Sequence, residues 1–97
     1  MKLSKSNIDL IVDYLKDKPV KKAYLFGSYA QGTAIKKSDI DILVDLDYEQ
    51  KIGLLFIRMK LDLELLLKKE VDLVSSRGIS KHLKPIIDKE KKLIYAR

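Results

Sequence analysis

The 97-residue chain contains no cysteine, which excludes disulfides and thiolate metal sites and removes the commonest covalent nucleophile. Its one histidine, His82, lies in a late polar segment; it reads as a surface residue, and no Ser-His-Asp set can be built around it. No apolar run approaches the length needed to span a bilayer. The charged amino-terminal stretch is not followed by the apolar segment of a secretion signal. These absences point to a cytoplasmic protein with no membrane part. Aromatic residues make up 7% of the chain and nowhere interleave with basic residues as a base-stacking platform would. Repeats, linkers and low-complexity tracts are missing too, so one domain over residues 1–97 is expected.

What is present is the composition of an ordinary globular protein, 46% hydrophobic and 35% charged. The 20 Lys and Arg outnumber the 14 Asp and Glu, for a net charge of +6. Such a balance suits nucleic acid, an acidic protein or a polyphosphate. The excess is mostly lysine in separated pairs, among them Lys36-Lys37 and Lys68-Lys69, and it reads as scattered, solvated surface.

Ser6 is a candidate N-cap for a first helix, with Ile8, Ile11, Val12 and Leu15 at helical spacing and Pro19 beyond its end. Val20 to Phe26 alternates as a strand. Gly27-Ser28 opens one helical turn through Gln31, and Gly32 breaks it. Asp39 to Leu46 reads as a second strand, with Ile40, Ile42, Val44 and Leu46 on one face and Asp39, Asp41, Leu43 and Asp45 on the other. Ile52 to Lys68 reads as the longest helix, although Lys60 to Leu66 also alternates like a strand. Its Ile52, Phe56, Met59, Leu63 and Leu66 form a core stripe that Leu54, Ile57, Leu61 and Leu65 widen. That breadth leaves apolar surface to spare for a homodimer or a hetero-oligomer. Glu70 to Val74 reads as a third strand, a short helix runs to Lys89, and Leu93-Ile94-Tyr95 reads as an edge strand. The expected fold class is α/β (α+β), a small mixed β-sheet flanked by helices.

The chemistry concentrates in one stretch. Residues two apart in a strand project to the same face, about 6.5–7 Å apart, so Asp39 and Asp41 could converge on a pair of cations about 3.5–4 Å apart. Their hard oxygens suit Mg²⁺. Gly27, directly after a strand, permits a backbone conformation closed to other residues and lets a ligand approach. Ser28 offers a hydroxyl and free N–H groups to phosphate oxygens, and Gly32 again leaves room. Gly-Ser, ten residues, then Asp-x-Asp should arise by chance in roughly one in a thousand chains of this size. Asp72, flanked by aliphatic residues, would be costly to bury alone. If its strand pairs beside the second one, Asp72 could ligate a metal and accept a proton from an attacking hydroxyl. Glu70 suits solvent, and Asp45 lies too far along to join.

Gly27-Ser28-Tyr29-Ala30-Gln31-Gly32, Asp39-Ile40-Asp41 and Val71-Asp72-Leu73-Val74 together resemble the minimal nucleotidyltransferases (MNT) of the polymerase β-like superfamily. The resemblance spans nearly the whole chain and implies that family's palm fold. It implies that Gly27, Ser28, Gln31 and Gly32 hold the triphosphate and that Asp39, Asp41 and Asp72 bind two Mg²⁺. It also implies transfer of AMP from ATP to a tyrosine of a HEPN ribonuclease toxin, with this chain as antitoxin and nucleic acid reached through the partner. One departure stands out: many members carry arginine where this chain has Gln31, which can bond a phosphate but brings no charge. Lys36 and Lys37 are candidates to supply it. The other readings are a weak or inactive module that neutralises its partner by occlusion, and transfer to RNA or to a small molecule.

Overall fold

A computed structural model describes residues 2–97. The elements run α1 (Lys5–Leu15), β1 (Val20–Phe26), α2 (Gly27–Gln31), β2 (Ile40–Leu46), α3 (Leu55–Leu67), β3 (Val71–Ser75), a 3-10 turn (Ser76–Gly78), α4 (Lys84–Glu90) and β4 (Lys92–Ala96). The sheet order is β3-β2-β1-β4. β1 is antiparallel to both β2 and β4, whereas β2 and β3 are parallel. A parallel neighbour needs a long crossover, and the α3 segment supplies it. The sheet is therefore mixed.

α1 begins two residues earlier than the Ser6 cap would place it. Ser4 caps it instead, its Oγ accepting from the Asn7 N–H at 3.2 Å. α3 begins at Leu55 rather than Ile52, because Gly53 takes a positive φ and Leu54 makes a turn ahead of the helix. From there Lys60 to Leu66 is helix throughout, and its strand-like alternation is overridden by burial at Met59, Leu63 and Leu67. Pro85 sits in the first turn of α4, where its missing N–H costs nothing.

The core lies on one face of the sheet. Ile40, Ile42 and Val44 of β2 are fully buried there with Ala23 and Leu25 of β1, and α1 and α3 cover them with Ile11, Leu15, Met59 and Leu63. Alternation sends Asp41 and Asp45 to the opposite face. α4 packs over part of that face: Lys84 and Asp88, with Lys91 just beyond its end, line a small cavity with Tyr24, Leu43 and Asp45. The upper end of β2 and β3 is left open.

Two polar locks hold the layers. Tyr14 of α1 donates to Asp62 of α3 at 2.6 Å. At the lower end of the sheet buried Asp47 accepts from Arg97 (2.9 Å), Gln50 (3.2 Å) and the Glu49 N–H (3.1 Å). The apolar breadth of α3 faces outward: Leu54, Ile57, Leu61 and Leu65 are 82%, 57%, 50% and 78% exposed, and Leu66 joins them rather than the core. No helix among the described residues is long and apolar enough to cross a membrane.

Candidate functional site

β1 ends at Phe26, whose Cα partner across the antiparallel pair is Asp41. The chain then turns at Gly27, with φ +70°, directly against the Asp41 side chain. A Cβ at Gly27 would collide with Asp41 Oδ2. Glycine is thus required twice over, by its φ and by a carboxylate occupying the space a side chain would fill. α2 follows for five residues. Gly32, at φ +78°, closes it with its N–H on the Ser28 carbonyl, and the Thr33 N–H bonds the same oxygen at 3.0 Å. Gly32 takes a positive φ, and nothing lies within 4 Å of a Cβ built on it, so its surface is open.

The parallel register sets Asp41 beside Asp72, as it sets Ile40 beside Val71. The two carboxylates stand side by side on the open face, and Asp39 precedes β2 at its mouth. Asp72 is exposed, unlike the enclosed charge its aliphatic neighbours suggested, because Val71 and Leu73 turn to the core face and are themselves buried. Asp41 is the half-buried member. Its pKa is pushed up to about 6, by burial first and then by the like charges of Asp72 and Asp39. Other part-buried carboxylates have partners: Asp62 has Tyr14, Asp45 has Ser76 and Glu64 has the Val71 N–H and Lys60. Among the described residues no donor or cation lies within bonding distance of the Asp41 side chain.

That pattern fits a hard dication. Among the described residues no three acidic or imidazole side chains enclose an ion by themselves. Mg²⁺, however, is commonly held by one or two carboxylates and completed by substrate phosphates and water. A half-buried carboxylate strained by two like charges is a ligand that such an ion would relieve.

The remaining candidates separate. Ser28 is half-buried beside Gly27. Gln31 is exposed and shares with Gly32 the wall of a cavity of about 300 Å³ that also takes in Leu25, Leu93 and Lys92, and no carboxylate lines it. Tyr29 is buried at 4% exposure, as packing under the turn would have it. His82 is exposed. Sequence reading missed a gathering of lysines. Lys36 and Lys37 meet Lys68 and Lys69 across a groove that begins at Asp39. The paired lysines were the signal, but nothing local says that two distant pairs adjoin.

A family model, Polymerase beta, Nucleotidyltransferase, matches residues 9–97. The chain belongs to this nucleotidyltransferase family. Membership gives the paired aspartates and the glycine turn a common context. The chain is 43% identical over 74 residues to "Putative protein adenylyltransferase MJ0435" of Methanocaldococcus jannaschii, covering 76% of this chain and 78% of that protein. Its fold is similar to a chain of a crystal structure of a toxin-antitoxin with AMP-PNP (TM-score 0.76, 29% identity, 98% of this chain and 75% of that one). It is similar also to a chain in the structure of a tri-AMPylated Shewanella oneidensis HEPN toxin with MNT antitoxin (TM-score 0.75, 26% identity, 98% and 74% covered).

Proposed function

We propose that the chain transfers AMP from ATP to a hydroxyl, a tyrosine of a partner HEPN toxin, and thereby acts as antitoxin. The observation that carries this reading is the register of Asp41 against Asp72, with Gly27 packed on the Asp41 carboxylate. It joins a turn able to receive phosphate to a pair of carboxylates able to hold metal. The relatives support the same direction: one is named a protein adenylyltransferase, one similar structure holds AMP-PNP, and another pairs an AMPylated HEPN toxin with an MNT antitoxin.

In this reading the Gly27 and Ser28 backbone and the Ser28 hydroxyl hold the triphosphate, with Gln31 and Gly32 completing the turn. Asp39, Asp41 and Asp72 hold Mg²⁺, two ions in the two-metal form of phosphoryl transfer. Bound Mg²⁺ stabilises charge on the α-phosphate and on the departing pyrophosphate. Asp72, the exposed carboxylate, accepts the acceptor's hydroxyl proton. The acceptor oxygen forms its bond to the α-phosphorus as the bridge to the β-phosphate breaks, and pyrophosphate leaves with the bonding pair. A label on the α-phosphate of ATP should therefore pass to the co-purified partner in the presence of Mg²⁺. Undiminished transfer by the Asp39→Ala/Asp41→Ala variant would overturn the assignment.

A second reading is favoured by Gln31, which is exposed and brings no charge to the turn. Here the carboxylates are idle and the chain neutralises its partner by covering it. The same double variant would then protect as well as the natural chain.

A further inference from the structure

The groove lined by Lys36, Lys37, Ser38 and Asp39 on one side and Leu67, Lys68, Lys69 and Glu70 on the other has a volume of about 650 Å³. Its two walls are tied together. Lys69 Nζ donates to the Lys36 carbonyl at 2.7 Å, and the Ile40 N–H bonds the Glu70 carbonyl at 3.0 Å. Lys69 Nζ also stands 5.9 Å from the Tyr29 ring centroid, which links this wall to α2. Lys68 holds φ 54°, the one positive value outside glycine among the described residues. That conformation is the left-handed C-cap that ends α3, its N–H bonding the Glu64 carbonyl, and it sets the Lys68 side chain at the groove.

The groove lies toward the β3 side of the carboxylates. Gly27 and Ser28 lie at the β1–β2 side of the carboxylates, whereas the Lys68–Glu70 wall leads into β3, which carries Asp72. Resting on the nucleotidyl-transfer reading above, this is the side from which an acceptor would come. No aromatic side chain lines the groove, so stacked bases have no platform there. Four ammonium groups against Asp39 and Glu70 leave it positive, and such a surface complements an acidic partner.

We propose that this groove binds an acidic segment of the acceptor protein, beside the residue to be modified. Fluorescence anisotropy of a labelled oligoglutamate peptide tests it without requiring catalysis, so its failure is distinct from a failure of AMP transfer. An RNA oligonucleotide of equal charge serves as the comparison. The peptide should bind the natural chain and bind the Lys36→Glu/Lys37→Glu/Lys68→Asn variant about tenfold more weakly, asparagine being chosen for its tolerance of the φ at 68. Should that variant fail to fold, Lys36→Gln/Lys37→Gln keeps the question open to measurement and should still weaken binding. In transfer assays the same variants should raise the KM for the acceptor by a larger factor than the KM for ATP. Peptide affinity that ignores the substitutions, tighter binding of the RNA, or a rise in the ATP KM alone would each overturn the proposal.

Discussion

At the scale of single residues, Gly27 and Asp41 act as one unit. Gly27→Ala must either rotate the Asp41 carboxylate away or displace the turn, since the new Cβ and Oδ2 claim the same space. It also places alanine at φ +70°, a strain of about 1–2 kcal/mol. The expected outcome is a melting temperature lower by about 5–10 °C, with AMP transfer falling further than the loss of folded protein explains. Asp41→Asn should do the opposite to stability. The folded pKa of Asp41, about 6, lies above the ordinary carboxylate value near 4. Protonation therefore stabilises the metal-free fold fully below about pH 4, and that contribution disappears as pH rises through about 6. Asparagine cannot ionise. In chelator at pH 7.5 the variant should melt higher by roughly 5 °C, about 1 kcal/mol after allowance for solvent screening, and the gain should vanish at pH 4. Added Mg²⁺ should raise the melting temperature of the natural chain and leave that of the variant unchanged. Equal melting of the two proteins in chelator at pH 7.5 would remove the repulsion on which the site's reading depends.

At the scale of elements, what could be read from the sequence was whatever a local pattern determines. Val20 to Phe26 alternates and is β1; Gly27 and Gly32 bracket α2 because each needs a positive φ. Asp39 and Asp41 could be placed at one strand because their spacing is local. Asp72 could be suspected only conditionally, since its place beside Asp41 is a matter of strand pairing across the α3 crossover. The lysine groove was illegible for the same reason. α3 shows a different limit: helical spacing picked out Met59 and Leu63 as the core stripe, but it could not say that Leu67 rather than Leu66 would end it. The structure buries Met59, Leu63 and Leu67 and leaves Ile57, Leu61 and Leu65 outside. The triple substitution Ile57→Ser/Leu61→Ser/Leu65→Ser should accordingly shift the melting temperature by less than about 5 °C, since little apolar area leaves water there on folding. Loss of cooperative melting in that variant would mean that α3 faces the sheet by its other side.

At the scale of the whole molecule, the fold keeps its stabilising contacts and its candidate chemistry on different faces. Burial is concentrated between the sheet and the α1–α3 layer, and the Asp47–Arg97 lock closes the end of the sheet away from Gly27. The open face carries carboxylates that repel one another and hold nothing together. Removing two of them should therefore cost the fold nothing, which makes Asp39→Ala/Asp41→Ala a clean separator of the two functional readings. Its melting temperature in chelator should equal or exceed that of the natural chain, and its partner should still co-purify, because the rest of the surface is unaltered. If protection comes from AMP transfer, cells making the partner should die with the double variant and survive with the natural chain. If protection comes from occlusion, both chains should rescue them equally. The intact geometry of Gly27, Asp41 and Asp72 leads us to expect death with the variant, together with the absence of label on the partner isolated from it.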